Sequence, residues 1–186
     1  DVYKRQVPAG AEWEPFAGLP IEESTLQTFL ENVPFNVKQA RRHQAARIPV
    51  PQTLKVPAQQ QTSTQEAFGR ILDGVARAKD ALAERIVTTS PDVTVSTNLG
   101  GWVNQRGIFN RADREDVFHS EKVVSMQKWA MSRNGQHIEL GIAENNLFLM
   151  LAALGLSGPL FGARLLPVGT VYDPFIARGL DALNYA

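Results

Sequence analysis

Proline placement restricts this chain more than any other feature. Seven of its eleven prolines, Pro8, Pro15, Pro20, Pro34, Pro49, Pro51 and Pro57, fall within the first 62 residues. Each removes a backbone donor and disfavours helical geometry in its predecessor, so this stretch has no room for long helices. Two short helices are expected between the prolines, over residues 22–31 and 35–46. The second leads into Arg47-Ile48-Pro49-Val50-Pro51, and the passage ends in Gln59-Gln60-Gln61, which reads as a linker or surface connector. The expected organisation is a proline-rich connector over residues 1–62 and a folded domain over residues 63–186. The run from Asp1 to Gln6 resembles translated adaptor sequence as much as native chain. With no initial methionine, and with a helical pattern still running at Ala186, the chain is expected to be a piece of a longer protein.

The pattern changes at Ser63. Ser63 and Glu66 form a capping-box pair, which satisfies orphan amides at a helix start. Behind it Phe68, Ile71, Leu72, Val75, Leu82 and Ile86 recur at helical spacing and predict one buried face over residues 64–84. Val93-Thr94-Val95 reads as a strand, emptying into a loop at Thr97-Asn98-Leu99-Gly100-Gly101. Residues 102–136 are polar and weakly periodic, longer than the usual connection. A second strand is expected at His137-Ile138-Glu139-Leu140, then a helix over residues 147–156 buried on most of its faces. Leu165-Leu166-Pro167-Val168 reads as a strand end, and residues 175–185 as a further helix with Phe175 in the core. This order predicts an α/β fold, a mostly parallel sheet flanked by helices.

Composition narrows the function classes. The 186 residues are 44% hydrophobic, enough for a sizeable core. Nineteen basic residues balance nineteen acidic ones, without the basic excess of a general nucleic-acid binder. Trp102 and Trp129 among Arg106, Arg111 and Arg114 suggest aromatic–basic interleaving, but Asp113, Glu115 and Asp116 neutralise it, so a charge-mixed loop is the simpler account and no nucleic-acid partner is expected. No apolar run approaches the roughly 18 residues of a membrane span, so no membrane partner is expected. The absence of cysteine excludes disulfides and thiolate chemistry and suits a cytoplasmic setting. His43, His119 and His137 show no metal spacing; His119 and His137 are read as surface or partly buried residues without a catalytic role. No phosphate-binding glycine loop occurs, and Gly100-Gly101 is thin support for a nucleotide module.

Chemistry concentrates in Glu139-Leu140-Gly141-Ile142-Ala143-Glu144-Asn145-Asn146. A strand ending near Leu140, a glycine and a helix start put Glu144 at the crevice beyond the carboxyl ends of the strands. On position alone, the acid supports the helix terminus. Gly141-Ile142-Ala143-Glu144-Asn145 also resembles the Gly-Ile/Val-x-Glu segment in the pyrimidine-binding domain of transketolase-type thiamin-diphosphate enzymes. It is most similar to the homodimeric pyruvate dehydrogenase E1 group, where a Gly-Gln stretch, here Gly135-Gln136, precedes Gly-Ile-Asn-Glu; Ala143 replaces the asparagine. The similarity takes in Ser63, Thr64, Ala67, Phe68 and Arg70 upstream and Pro167 and Tyr172 downstream, so that roughly residues 35–186 follow the family pattern.

That resemblance implies a thiamin-diphosphate-dependent 2-oxo-acid dehydrogenase, acting on pyruvate and passing the acyl group to a lipoylated acyltransferase (E2). Glu144 would bond the pyrimidine nitrogen N1′ and favour the tautomer that forms the ylid at thiazolium C2. Tyr172 would stack on the pyrimidine, and Ile142 would form an apolar wall of the pocket. The cofactor would lie at a homodimer interface, with Mg²⁺ and the diphosphate held by an upstream domain that these residues do not contain. By itself, therefore, the 186-residue chain is expected to bind the cofactor poorly and to be inactive. Related domains often carry an acid after the first strand, where this chain has Thr97 and Asn98. A transketolase-like ketol transferase acting on sugar phosphates, and a catalytically silent assembly domain, stand as alternatives.

Overall fold

A computed structural model describes residues 7–14, 16–33, 43–56, 58, 61–112 and 128–186. The chain divides into two units, Asp1–His43 and Gln44–Ala186. In the first, helix α1 (Glu23–Asn32) starts three residues after Pro20 and buries none of its residues. Of the helix expected over residues 35–46, residues 35–42 lie outside the described residues, and 43–46 are not helical. Residues 44–56 belong to the second unit, where Ile48 packs on the core.

The second unit is an α/β domain. Its elements are α2 (Thr64–Ala78), β1 (Ile86–Ser90), α3 (Gly100–Arg106), β2 (Ile108–Phe109), β3 (Met131–Ser132), β4 (His137–Glu139), α4 (Glu144–Gly155), α5 (Ser157–Phe161), β5 (Leu166–Gly169), a 3₁₀ helix (Asp173–Gly179) and α6 (Leu180–Tyr185). The five strands run in the order β3-β2-β4-β1-β5, and every pairing is parallel. All their carboxyl ends therefore lie along one edge.

Helix α2 begins as its capping pair predicts, with Ser63 Oγ accepting from the Glu66 amide at 3.0 Å. It ends earlier than the periodicity predicts, because Lys79 turns left-handed at φ 50°. Leu82 and Ile86 keep the helical spacing but belong to the following turn and to β1, and they join the same core. The first strand is thus Ile86–Ser90, and Val93-Thr94-Val95 forms the turn after it. Gly100 and Gly101 open α3 instead of ending a loop.

Strand periodicity separates the two layers. Leu166 and Val168 of β5 pack against the cluster of Leu72, Val75, Leu99, Trp102 and Val103 from α2 and α3. Gly169 alternates to the other face, where it meets the methyl groups of Leu147 and Leu151 on α4 at 3.0 and 2.9 Å from an ideal Cβ position. Helix α4 is less covered than its apolar sequence predicts: Leu147 and Phe148 are buried, whereas Leu149 is exposed.

Close approach at glycine holds α2 in place. A Cβ on Gly69 would strike the Asn98 carbonyl, while one on Gly74, in the same helix, would meet nothing within 4 Å. Gly69→Ala is therefore expected to destabilise the domain by about 1–3 kcal/mol. Gly74→Ala should stabilise it by up to about 1 kcal/mol, through helix propensity alone. Urea unfolding of the two variants checks both signs.

Candidate functional site

Three neighbouring strands, β4, β1 and β5, deliver the loops that build the carboxyl edge. After β4, Gly141 takes φ +65° and turns the chain, Ala143 is the N-cap of α4, and Glu144 is its first helical residue. Glu144 is buried, with 7% of its surface exposed. Its Oε1 accepts a 2.8 Å hydrogen bond from Arg178 Nη1 of the 3₁₀ helix. Among the described residues its Oε2 has no hydrogen bond.

Arg178 is itself positioned by an aromatic ring. Its guanidinium lies 4.1 Å from the Phe175 ring centroid, in cation–π range, and that ring stands 6.1 Å from Tyr172 at 49°. Phe175 is thus a partly buried support for the ion pair, not only core. Gly179 lets the 3₁₀ helix sit on α4, since any Cβ there would run into the Phe148 ring.

The other expected site residues share this edge but differ in exposure. Tyr172 follows β5 and is 41% exposed; Ile142 is 78% exposed. Thr97, in the loop after β1, is buried between the two flanking loops. Its hydroxyl donates to Val93 O at 2.8 Å and lies 2.9 Å from Thr170 Oγ1, while its carbonyl accepts from Gln65. Asn98 is left-handed at φ 61° and exposed, with its backbone pressed on Gly69. Thr97 therefore ties the loops after β1 and β5 together.

His137 departs from expectation. It is fully buried in β4, with Nδ1 2.9 Å from Thr88 Oγ1 and Nε2 2.9 Å from Thr94 Oγ1. Thr94 donates to Glu139 Oε2 at 2.6 Å. With its one proton so directed, Thr94 can only accept from the imidazole, which places a hydrogen on Nε2. Glu139 Oε1 takes the amides of Asp92, Leu140 and Gly141 at 2.7, 3.0 and 3.3 Å. Partial burial raises the Glu139 pKa, but the His137 imidazole 3.6 Å away and the hydrogen bonds from Thr94 and the Asp92 amide outweigh it and hold the group at about 2. Neither Glu139, His137 nor Arg178 carries a motif, and only their neighbours in space reveal them.

Several of the aromatic–basic residues are engaged within the fold. Trp102 is fully buried, and Arg106 bonds Gln136 and the Ala76 carbonyl within the fold. Trp129 packs on the core, and Arg111 accepts through its carbonyl from Arg133. Gln136 of the Gly-Gln pair donates to Ala83 O and Ile86 O at 2.8 Å each, and Gly135 presses on the Ile108 backbone. His119, Asp113, Arg114, Glu115 and Asp116 lie outside the described residues. Among the described residues no His, Cys, Asp or Glu cluster is placed to hold a metal, and no helix is long and apolar enough to cross a membrane.

No protein-family model matches the chain, and no curated protein matches it as a relative.

The Glu139 network sets an acid limit on this edge. A folded pKa below the usual 4.5 stabilises the fold above 4.5 and loses that contribution as pH falls toward about 2. Glu139→Gln is expected to be less stable than the parent at neutral pH, with the gap narrowing across that window. Denaturant midpoints measured from pH 7 to pH 2.5 check it; a constant gap would contradict the assignment.

Proposed function

We propose that this chain carries the pyrimidine-binding domain of a thiamin-diphosphate-dependent 2-oxo-acid dehydrogenase E1 component, acting on pyruvate. The observation that carries this reading is the buried Glu144 carboxylate at the carboxyl edge, with Oε1 taken by Arg178 and Oε2 open. Half-exposed Tyr172 stands beyond β5, two strands across the sheet from β4. An acid with one open oxygen and a flat ring suit a heterocycle whose edge needs a hydrogen bond and whose face needs apolar cover.

The residues present fit the pyrimidine end of the group and not its diphosphate or Mg²⁺, which this reading assigns to a different domain. When bound, thiamin diphosphate supplies the electron sink for decarboxylation of the 2-oxo acid. Glu144 Oε2 would hold the hydrogen bond to the pyrimidine nitrogen. Arg178 keeps the carboxyl group aimed, and Phe175 keeps Arg178 in place. Exposed Ile142 needs cover from outside the domain to become a pocket wall, which suits a homodimer closed across the cofactor. The acyl group would then leave on a lipoylated acyltransferase, and a chain without cysteine is compatible with a cytoplasmic enzyme.

The Arg178 ion pair also favours a second reading. In that reading Glu144 only ties the 3₁₀ helix to α4, and the domain is a silent assembly module. Pyruvate-dependent ferricyanide reduction by the full-length protein, with and without thiamin diphosphate and Mg²⁺, separates the two. Cofactor-dependent turnover is expected, and Glu144→Gln should lower it by roughly a hundredfold or more while the circular dichroism spectrum is unchanged. A cofactor-binding parent with no turnover on pyruvate or other 2-oxo acids would leave the ketol-transferase and assembly readings.

A further inference from the structure

At the amino edge of the sheet, opposite Glu144, three exposed arginines line an open cavity of about 180 Å³. Arg47 comes from the extended stretch after the first unit, Arg85 from the turn before β1, and Arg164 from the loop between α5 and β5. Each is set by a neighbour that cannot readily move. Ile48 packs on the core, Ile86 is buried in it, and the Leu165 amide beside Arg164 donates to Ser157 Oγ at 3.2 Å. Ala45 lies 3.5 Å from the ideal Cβ position at Gly158, so the extended stretch is seated against α5.

Among the described residues no carboxylate lines this cavity. Asp80 and Glu84 share the turn with Arg85, but neither is part of the wall, and Asp80 Oδ1 instead accepts the Ala83 amide. Among the described residues none of the three guanidiniums has a hydrogen bond or ion pair. Three like charges brought to one concavity repel one another unless an anion joins them. In a chain of zero formal net charge, this is a local arrangement and not the spillover of a basic protein.

We propose that the Arg47–Arg85–Arg164 cavity binds a phosphate dianion, free or as the head group of a small phosphomonoester. The planar forks of arginine match phosphate oxygens two at a time, which a lysine cluster would not do. The volume is below the ~300–1,000 Å³ of pockets that enclose drug-sized ligands, so it takes one phosphoryl group and leaves any attached carbon chain outside. The site is independent of the reading of Glu144.

The test is thermal unfolding of the full chain in inorganic phosphate and in ethyl phosphate, against chloride at equal ionic strength. A saturable rise in Tm is expected, lost in the Arg47→Gln/Arg85→Gln/Arg164→Gln triple variant and weakened about tenfold in apparent affinity by each single change. Saturation at the same concentration by both ligands assigns free phosphate, and tighter binding of ethyl phosphate assigns a phosphorylated metabolite. A rise that does not saturate, or that persists in the triple variant, is the general exclusion of phosphate from protein surfaces and overturns the proposal. If the triple variant does not fold, the arginine Nε–H resonances of the parent decide: three shifting together support the site, and none shifting removes it.

Discussion

A parallel sheet covered on both faces leaves no water for the side chains of its interior strands. Strand β1 nevertheless carries Thr88, Thr89 and Ser90 in succession, all fully buried. A buried hydroxyl without a partner costs about 1–3 kcal/mol, so three in a row constrain whatever lies beside them. Strand β4 meets that requirement. His137 takes Thr88, the Ile138 carbonyl accepts from Thr89, and Glu139 with Thr94 takes Ser90. The pairing of β1 with β4 is thus fixed by side chains as well as by the backbone ladder. A one-residue slip would leave every one of these groups facing the wrong partner.

The same contacts carry through to the candidate site. Glu139 is the last residue of β4, and its carboxylate gathers the amides that begin the turn toward Glu144. Beyond the turn, Arg178 and Phe175 approach from the 3₁₀ helix, and Gly179 allows that approach by lacking a side chain. Glu144 is held from both sides: through β4 and the Gly141 turn on one, and through the 3₁₀ helix on the other. The Thr97–Thr170 contact closes the gap between the loops that follow β1 and β5.

Much of this architecture could be read from the sequence where one local rule acted alone. The Ser63 cap, the long apolar helix after Glu144 and the strand at His137 all declared themselves by residue type and spacing. The reading failed where two elements shared one pattern: Leu82 and Ile86 kept the helical period of α2 although Lys79 had already ended it, which displaced the first strand to Val93. It also failed where burial depends on distant partners. Nothing near His137 in sequence predicts two threonines, one from β1 and one from the following turn, closing over its ring. Glu144 was legible because it opens a helix after a strand and a glycine. Arg178 was not, because its 34-residue separation from Glu144 is bridged only by folding.

One oxygen, Glu139 Oε1, holds amides from both the loop after β1 and the loop after β4. Mechanically, that makes the two loops a single part. The amides gathered on that oxygen end at Gly141, and Ile142 and Ala143 alone separate them from Glu144 at the start of α4. The place at which the Glu144 helix begins is therefore tied to the loop after β1 as well as to its own strand.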